Sequence, residues 1–236
     1  MWTLLVGAAF ILLSAVPSRA QDGAVPPLQR IVDWHVELTL PVNECSVPSA
    51  VRTLTQRLHF PAGIERLPGA CQRSSNGQPA GTITLHSMTL AEALDKLVEI
   101  DRRYRWVDAD GVIVVRPLEA WANPKNVLNF RSASVTLEEK NLDDAVEAIA
   151  AAIDDREPRW FPPQAARTTQ GSRLFSVKTG ATSLGEALDA IIRTHGDAVW
   201  ELADFGPADP TRSMRMLLLY TFDGGALHKA LKNTER

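Results

Sequence analysis

The sequence of 236 residues is poor in aromatics (6%), carries two cysteines and five scattered histidines, and beyond its first residues has no long apolar run. The missing apolar runs exclude a bundle of membrane-spanning helices, each of which needs roughly 18 to 20 such residues. Neither sign of charge dominates: 25 Lys and Arg stand against 28 Asp and Glu, a net charge of −3. That balance gives no global attraction for nucleic acid or anionic lipid. G-x-S-x-G, H-E-x-x-H, G-x-x-x-x-G-K and G-x-G-x-x-G are all missing, so no motif marks a hydrolase, zinc protease, nucleotide or dinucleotide site. His35, His59, His86, His195 and His228 include no pair at helical ligand spacing. Each reads as a surface or loop residue, and neither a metal nor a cofactor is expected. What is present, 45% hydrophobic and 22% charged residues, is the composition of an ordinary globular chain.

Residues 2–16 form one apolar block, followed by Pro17-Ser18-Arg19-Ala20-Gln21. The block is short, ends at a helix breaker and precedes small residues at Ser18 and Ala20, so residues 1–20 read as a signal peptide. The competing readings are an uncleaved anchor and a buried N-terminal helix, since no basic residue precedes the block. A periplasmic or secreted location is expected. In that compartment Cys45 and Cys71 read as a disulfide, worth about 2–4 kcal/mol. Free buried thiols are the alternative, and two cysteines without a His pair are a poor metal site.

The sequence repeats itself. Thr89-Leu-Ala-Glu-Ala-Leu-Asp-Lys-Leu-Val98 returns as Ser183-Leu-Gly-Glu-Ala-Leu-Asp-Ala-Ile-Ile192, and the same offset carries Trp106 onto Trp200 and Ile83 onto Val177. Both segments place apolar residues at helical spacing: Leu90, Ala93, Leu94, Leu97 and Val98, then Leu184, Ala187, Leu188, Ile191 and Ile192. Thr89 and Ser183 stand as hydroxyl N-caps with Glu92 and Glu186 three residues on, a capping box in each copy. An upstream helix pair matches Val47, Ala50, Val51, Leu54 and Leu58 with Leu142, Ala145, Val146, Ile149 and Ile153. Strands are expected at Val36–Leu40, Ile83–Leu85, Arg103–Val107 and Val112–Arg116, the last two joined by the turn Asp108-Ala-Asp-Gly111. The second half repeats them at Val127–Leu137, Leu174–Lys178, Val199–Leu202 and Met214–Phe222. Each half then reads strand, helix, weak strand, strand, helix, strand, strand. The fold class is α+β: two tandem small modules, residues 31–118 and 126–223, with helices packed against small sheets. Arg116–Asn126 is the boundary between halves, and residues 224–236 form a polar tail.

The first half resembles the short domain at the N-termini of secretins and TonB-dependent receptors, known as STN. The residues that carry the likeness are Gly81-Thr-Ile-Thr-Leu-His-Ser-Met-Thr-Leu-Ala-Glu-Ala-Leu-Asp-Lys-Leu-Val98, Tyr104-Arg-Trp106 and Val112-Ile-Val-Val-Arg-Pro117. It covers roughly Val36–Pro117 and repeats more loosely over Leu128–Phe222. The resemblance implies two helices held between small sheets, and work by contact with other proteins of an outer-membrane machine. Secretins and TonB receptors continue into a long β-barrel; here no such region is expected, so neither pore nor transporter is.

Few residues invite a site. Trp106 and Trp200, repeated at one strand position, read as core. Trp160 and Phe161, between prolines and basic residues in Arg156-Glu-Pro-Arg-Trp-Phe-Pro-Pro163, are candidate interaction anchors or else plugs between helix and sheet. Ser183 reads as a helix cap, Arg102-Arg-Tyr-Arg105 as a solvated strand face, and Asp108–Gly111 as a turn rather than a calcium loop. Glu138-Glu139, Asp143-Asp144 and Asp154-Asp155 read as solvated helix ends, the middle pair favoured by the helix dipole. No catalytic residue is named. The expectation is a non-enzymatic, exported interaction or adaptor module whose partner is another envelope protein, a secretin or TonB-type receptor among the candidates. Edge strands of the small sheets would accept the partner. A secreted hydrolase using the 154–173 or 203–213 insertions, and a cell-wall ligand module using Trp160 and Phe161, are the alternatives.

Overall fold

A computed structural model describes residues 29–42, 46–67, 81–131, 134–152, 173–205 and 214–222. Residues 1–20, Cys45, Cys71, Trp160, Phe161, His228 and the 224–236 tail lie outside them, as do Asp154 and Asp155. The chain is α+β. In order the elements are α1 (Gln29–Val32), β1 (His35–Val42), α2 (Ser46–Leu58), β2 (Ala62–Glu65), β3 (Gly81–Thr89), α3 (Leu90–Ile100), β4 (Tyr104–Asp108) and β5 (Ile113–Pro117). There follow α4 (Leu118–Ala122), β6 (Thr136–Lys140), α5 (Leu142–Ala152), β7 (Phe175–Lys178), α6 (Leu184–His195), β8 (Ala198–Phe205) and β9 (Met214–Thr221).

Three sheets form. β1 pairs antiparallel with β3, and β6 with β7. The third has five strands in the order β4-β5-β2-β8-β9, so its first three come from the first half of the sequence and its last two from the second. The junction is β2, parallel both to β5 and to β8, with Ala62 against Ile113 and Val199 and Ile64 against Val115 and Glu201. β4 and β9 run antiparallel to their neighbours.

Each half buries its helices on a different face of this sheet. On one face Val47, Val51 and Leu54 of α2 and Leu90, Leu94 and Leu97 of α3 meet Ala62, Ile64 and Val115, with Leu85 of β3 behind them. Val199, Leu218 and Tyr220 from the second half complete that core. On the other face Leu142 and Ile149 of α5 and Leu184, Leu188 and Ile191 of α6 pack on Trp200, Leu202 and Leu217, completed by Val112 and Val114 of the first half. Period-two alternation along β5 makes this possible, since Ile113 and Val115 face one core and Val114 the other. Each half thus has two helices between a two-stranded ribbon and the shared sheet.

Local chemistry sets the ends of the elements. In α3 the Thr89 hydroxyl accepts from the Glu92 N–H, while the Thr89 N–H donates to Glu92 Oε2 at 2.7 Å. In α6 Ser183 and Glu186 do the same, the return bond being 2.9 Å. Asn141 and Asp144 exchange equivalent bonds at the start of α5, which gives Asp144 its first-turn role. The β4–β5 hairpin turns at Asp110 (φ 54°) and Gly111 (φ 93°), the left-handed pair that a two-residue type I′ turn needs. The Asp108 carboxylate accepts from Gly111 N–H at 2.9 Å across it. One expectation is corrected. Val127–Leu137 is not one strand: Val127–Asn129 is a 3₁₀ turn, because the Asn126 side chain accepts from Leu128 N–H and opens a helical turn. The strand begins at Thr136.

Candidate functional site

The two copies of the repeat build the same local unit. Asp95 on α3 and Asp189 on α6 each face the strand that follows, and each accepts from the indole N–H eleven residues on, Trp106 at 2.8 Å and Trp200 at 2.7 Å. The helix register and the strand register together fix this pair, which is why it survives in both halves.

The surroundings of the two units differ. Trp200 is fully buried, lying against β2, and a Cβ placed at Gly63 would collide with its ring. Only the missing side chain of Gly63 lets the indole lie across the strand. Burial pushes the Asp189 carboxyl up to about 6, against the opposing pull of the Trp200 N–H and Arg193. Trp106 is half-buried, Asp95 is exposed, and among the described residues β4 has a strand on one side only.

Among the described residues one buried charge cluster ties the halves together, and a second braces the corner where they meet. Glu201 of β8, with no exposed surface, receives Arg52 of α2, Arg66 just after β2 and, at 3.1 Å, the Tyr220 hydroxyl of β9. Burial opposes its charge, but the two guanidinium groups outweigh that and hold its carboxyl below the usual range. Arg52 is held above its ordinary value against the effect of burial, by Glu201 and then Tyr220. Tyr220 is raised by burial and then by Glu201. On the opposite face Glu65 of β2 pairs with Arg116 of β5 at 2.7 Å, and Arg116 Nη2 reaches Asn126 Oδ1 at 3.2 Å and lies over the Trp121 ring, 4.9 Å from its centre. The Asn129 amide donates to the carbonyls of Ala120 and Asn123, both at 2.8 Å. The sequence between the halves is therefore a bonded corner. A third link runs from Arg193 of α6 to the Ala109 carbonyl at 2.8 Å and to Asp110.

Among the residues singled out from sequence, His195 requires correction. It is not a surface residue but 3% exposed at the end of α6, edge-on to Phe175. Burial first, and Arg173 second, lower its pKa. Its backbone carbonyl accepts from Arg173 at 2.8 Å. His35, His59 and His86 are exposed, and His86 lies 3.6 Å from Glu37. Ser183 is a helix cap. Arg102, Arg103 and Arg105 are exposed, but Tyr104 between them is buried, its hydroxyl accepting from Leu67 N–H at 3.0 Å. Among the described residues no three His, Cys, Asp or Glu side chains gather as a metal ion would require, and no helix is long and apolar enough to cross a membrane. The charge clusters on Glu201 and Glu65 were missed in sequence, because their members come from both halves or from distant strands. The one signal was a charge, Glu201, standing where the first copy has Val107. No family model matches the chain, and neither does any curated protein.

Proposed function

We propose that this chain is an exported, non-enzymatic interaction module of STN-like build, an adaptor that engages an envelope protein such as a secretin or a TonB-type receptor. The observation that supports this reading most is how the two halves join: a strand of one is added, in parallel, to the edge of a strand of the other. A fold that uses strand addition within itself is suited to using it between proteins. The order of elements in the first half also agrees with the STN-like pattern, and each half places two helices between a ribbon and the larger sheet. The buried ionisable groups fit the same account, because Glu201 with Arg52 and Arg66 holds the halves to each other, and Arg116, paired with Glu65, braces the corner between them through Asn126.

The test is affinity capture from the native envelope with the tagged chain, chemical crosslinking and mass spectrometry, run beside a chain unfolded in urea as control. Reproducible recovery of one outer-membrane or secretion protein, crosslinked to a folded edge of the chain, is the expected result. A folded chain that crosslinks to nothing specific would end the adaptor reading.

A further inference from the structure

We propose that the outer edge of β4, along Arg105–Asp108, receives one extended strand of a partner protein, parallel to β4, with a glycine seated under Trp106. This inference rests on the adaptor reading and names the partner's binding segment. It starts from the equivalence of β4 and β8. Each follows the capped helix of its half, runs antiparallel to the next strand, and presents a tryptophan bonded to an aspartate of that helix. The outer edge of β8 is occupied. β2 lies along it in parallel, with Ala62, Gly63, Ile64 and Glu65 opposite Val199, Trp200, Glu201 and Leu202. Gly63 is there because the Trp200 ring fills the place of its side chain. Transferred by the repeat, that register falls on Arg105, Trp106, Val107 and Asp108, with the partner's glycine opposite Trp106.

Among the described residues nothing occupies that register on β4. Trp106 is correspondingly half-buried while Trp200 is fully covered. The relation between the halves also leaves this edge over. β4 and β8 point in opposite directions in the shared sheet, and their helices lie on opposite faces. One half is carried onto the other by a half-turn about, and a shift along, the line crossing the strands. Such an operator does not close on itself, so a sheet built by it ends in an unmatched edge.

A second copy of this chain is a poorer donor than another protein. Among the described strands only β2 has an internal glycine, and both of its edges are engaged, by β5 and β8. The partner segment should share the chemistry of β2: a small residue, a glycine and a β-branched apolar residue in extended form. Main-chain bonds would supply affinity, and the Trp106–glycine contact specificity.

β2 itself supplies the probe. A synthetic peptide with the sequence Phe60-Pro-Ala-Gly-Ile-Glu-Arg66, labelled and bearing a photo-crosslinker, is titrated against the purified full chain. We expect saturable binding, crosslinks confined to β4 around Arg105–Asp108, and at least tenfold weaker binding when valine replaces the peptide's glycine. Trp106→Ala should weaken binding by a similar factor. Because that variant also removes core packing, its fold is checked by circular dichroism, and the valine peptide tests the same contact with the protein untouched. Absence of binding overturns the proposal, whether the edge is inert or already covered by another segment of this chain. Crosslinks on β8, or equal binding of the valine peptide, overturn it too. If the peptide fails while envelope capture still recovers a partner, the edge proposal falls and the adaptor reading stands; if both fail, both fall.

Discussion

The Trp106–Asp95 and Trp200–Asp189 pairs hold the same residues at the same separation, with hydrogen bonds of nearly equal length. One is half open to solvent; the other is sealed beneath a strand from the opposite half. Contacts within one repeat, which need only a helix and the strand after it, are carried by the repeated sequence. The environment of those contacts is set by what docks from elsewhere, and the repeat does not carry that. Position 107 makes the same point. Val107 takes a half-buried place on β4, while its counterpart Glu201 is buried against Arg52 and Arg66 from the other half. A charge is tolerated inside only because the docking half brings its partners.

The largest effect should come from breaking that docking electrostatically. Glu201→Gln leaves Arg52 and Arg66 facing each other without a carboxylate. Removing one side of a buried ion pair costs about 3–5 kcal/mol. Urea denaturation at pH 7 should show that loss, and a loss below about 1 kcal/mol would mean the cluster does not hold the halves. Gly63→Val attacks the same junction by volume. The added side chain meets the Trp200 ring and not a flexible side-chain end, so we expect a cost of about 3 kcal/mol, at the upper end for overpacking. Indole emission should shift red as Trp200 loses its cover.

Much of the fold was legible in the sequence, for a physical reason. Helix spacing, capping boxes and the Asp-Gly hairpin are local, and Thr89, Ser183 and Gly111 act where the sequence suggested. Pairing across the halves is not local. Nothing in the alternation along β2 says that its second neighbour is β8, and a glycine in a short strand has several meanings until Trp200 is seen lying across it. The burial of His195 is not legible for the same reason, since Phe175, which packs edge-on against it, comes from another element. Trp160, Phe161 and the cysteine pair fall outside the described residues and add nothing to the candidate site.

The aspartates sharpen the comparison through pH. Burial raises the Asp189 carboxyl from 3.8 to about 6 in the folded chain, so the folded state holds its proton more tightly than the unfolded one. Its contribution is fully present below pH 4 and is lost as pH rises through about 6. Two pKa units correspond to roughly 2–3 kcal/mol. Asp189→Asn keeps a carbonyl oxygen for the Trp200 N–H and removes the titration. The difference in stability between parent and variant should therefore slope between pH 4 and 6 and flatten above. Asp95→Asn, at the exposed pair, should change stability at pH 7 by less than about 0.5 kcal/mol. Equal slopes for parent and Asp189→Asn would mean Asp189 is not buried in solution.

A local effect tests where the two copies are alike. Ser183→Ala removes the hydroxyl that accepts from Glu186 N–H at 3.2 Å, and loss of such a cap costs about 1 kcal/mol. The Glu186 carboxyl, held below its usual range by the Thr182 hydroxyl and then by Ser183, should titrate closer to an ordinary glutamate. Its depressed pKa favours the folded state at neutral pH, and that contribution is lost as pH falls through the folded value. Thr89→Ala should act in the same sense on α3, where Glu92 is lowered chiefly by the Thr89 backbone N–H and then by its hydroxyl. Because the lost bonds are local in both halves, carboxyl shifts followed by NMR should move together in the two variants. If the α6 cap alone responds, the docked strand matters even to the helix start, and the boundary between local and docked contacts shifts toward docking.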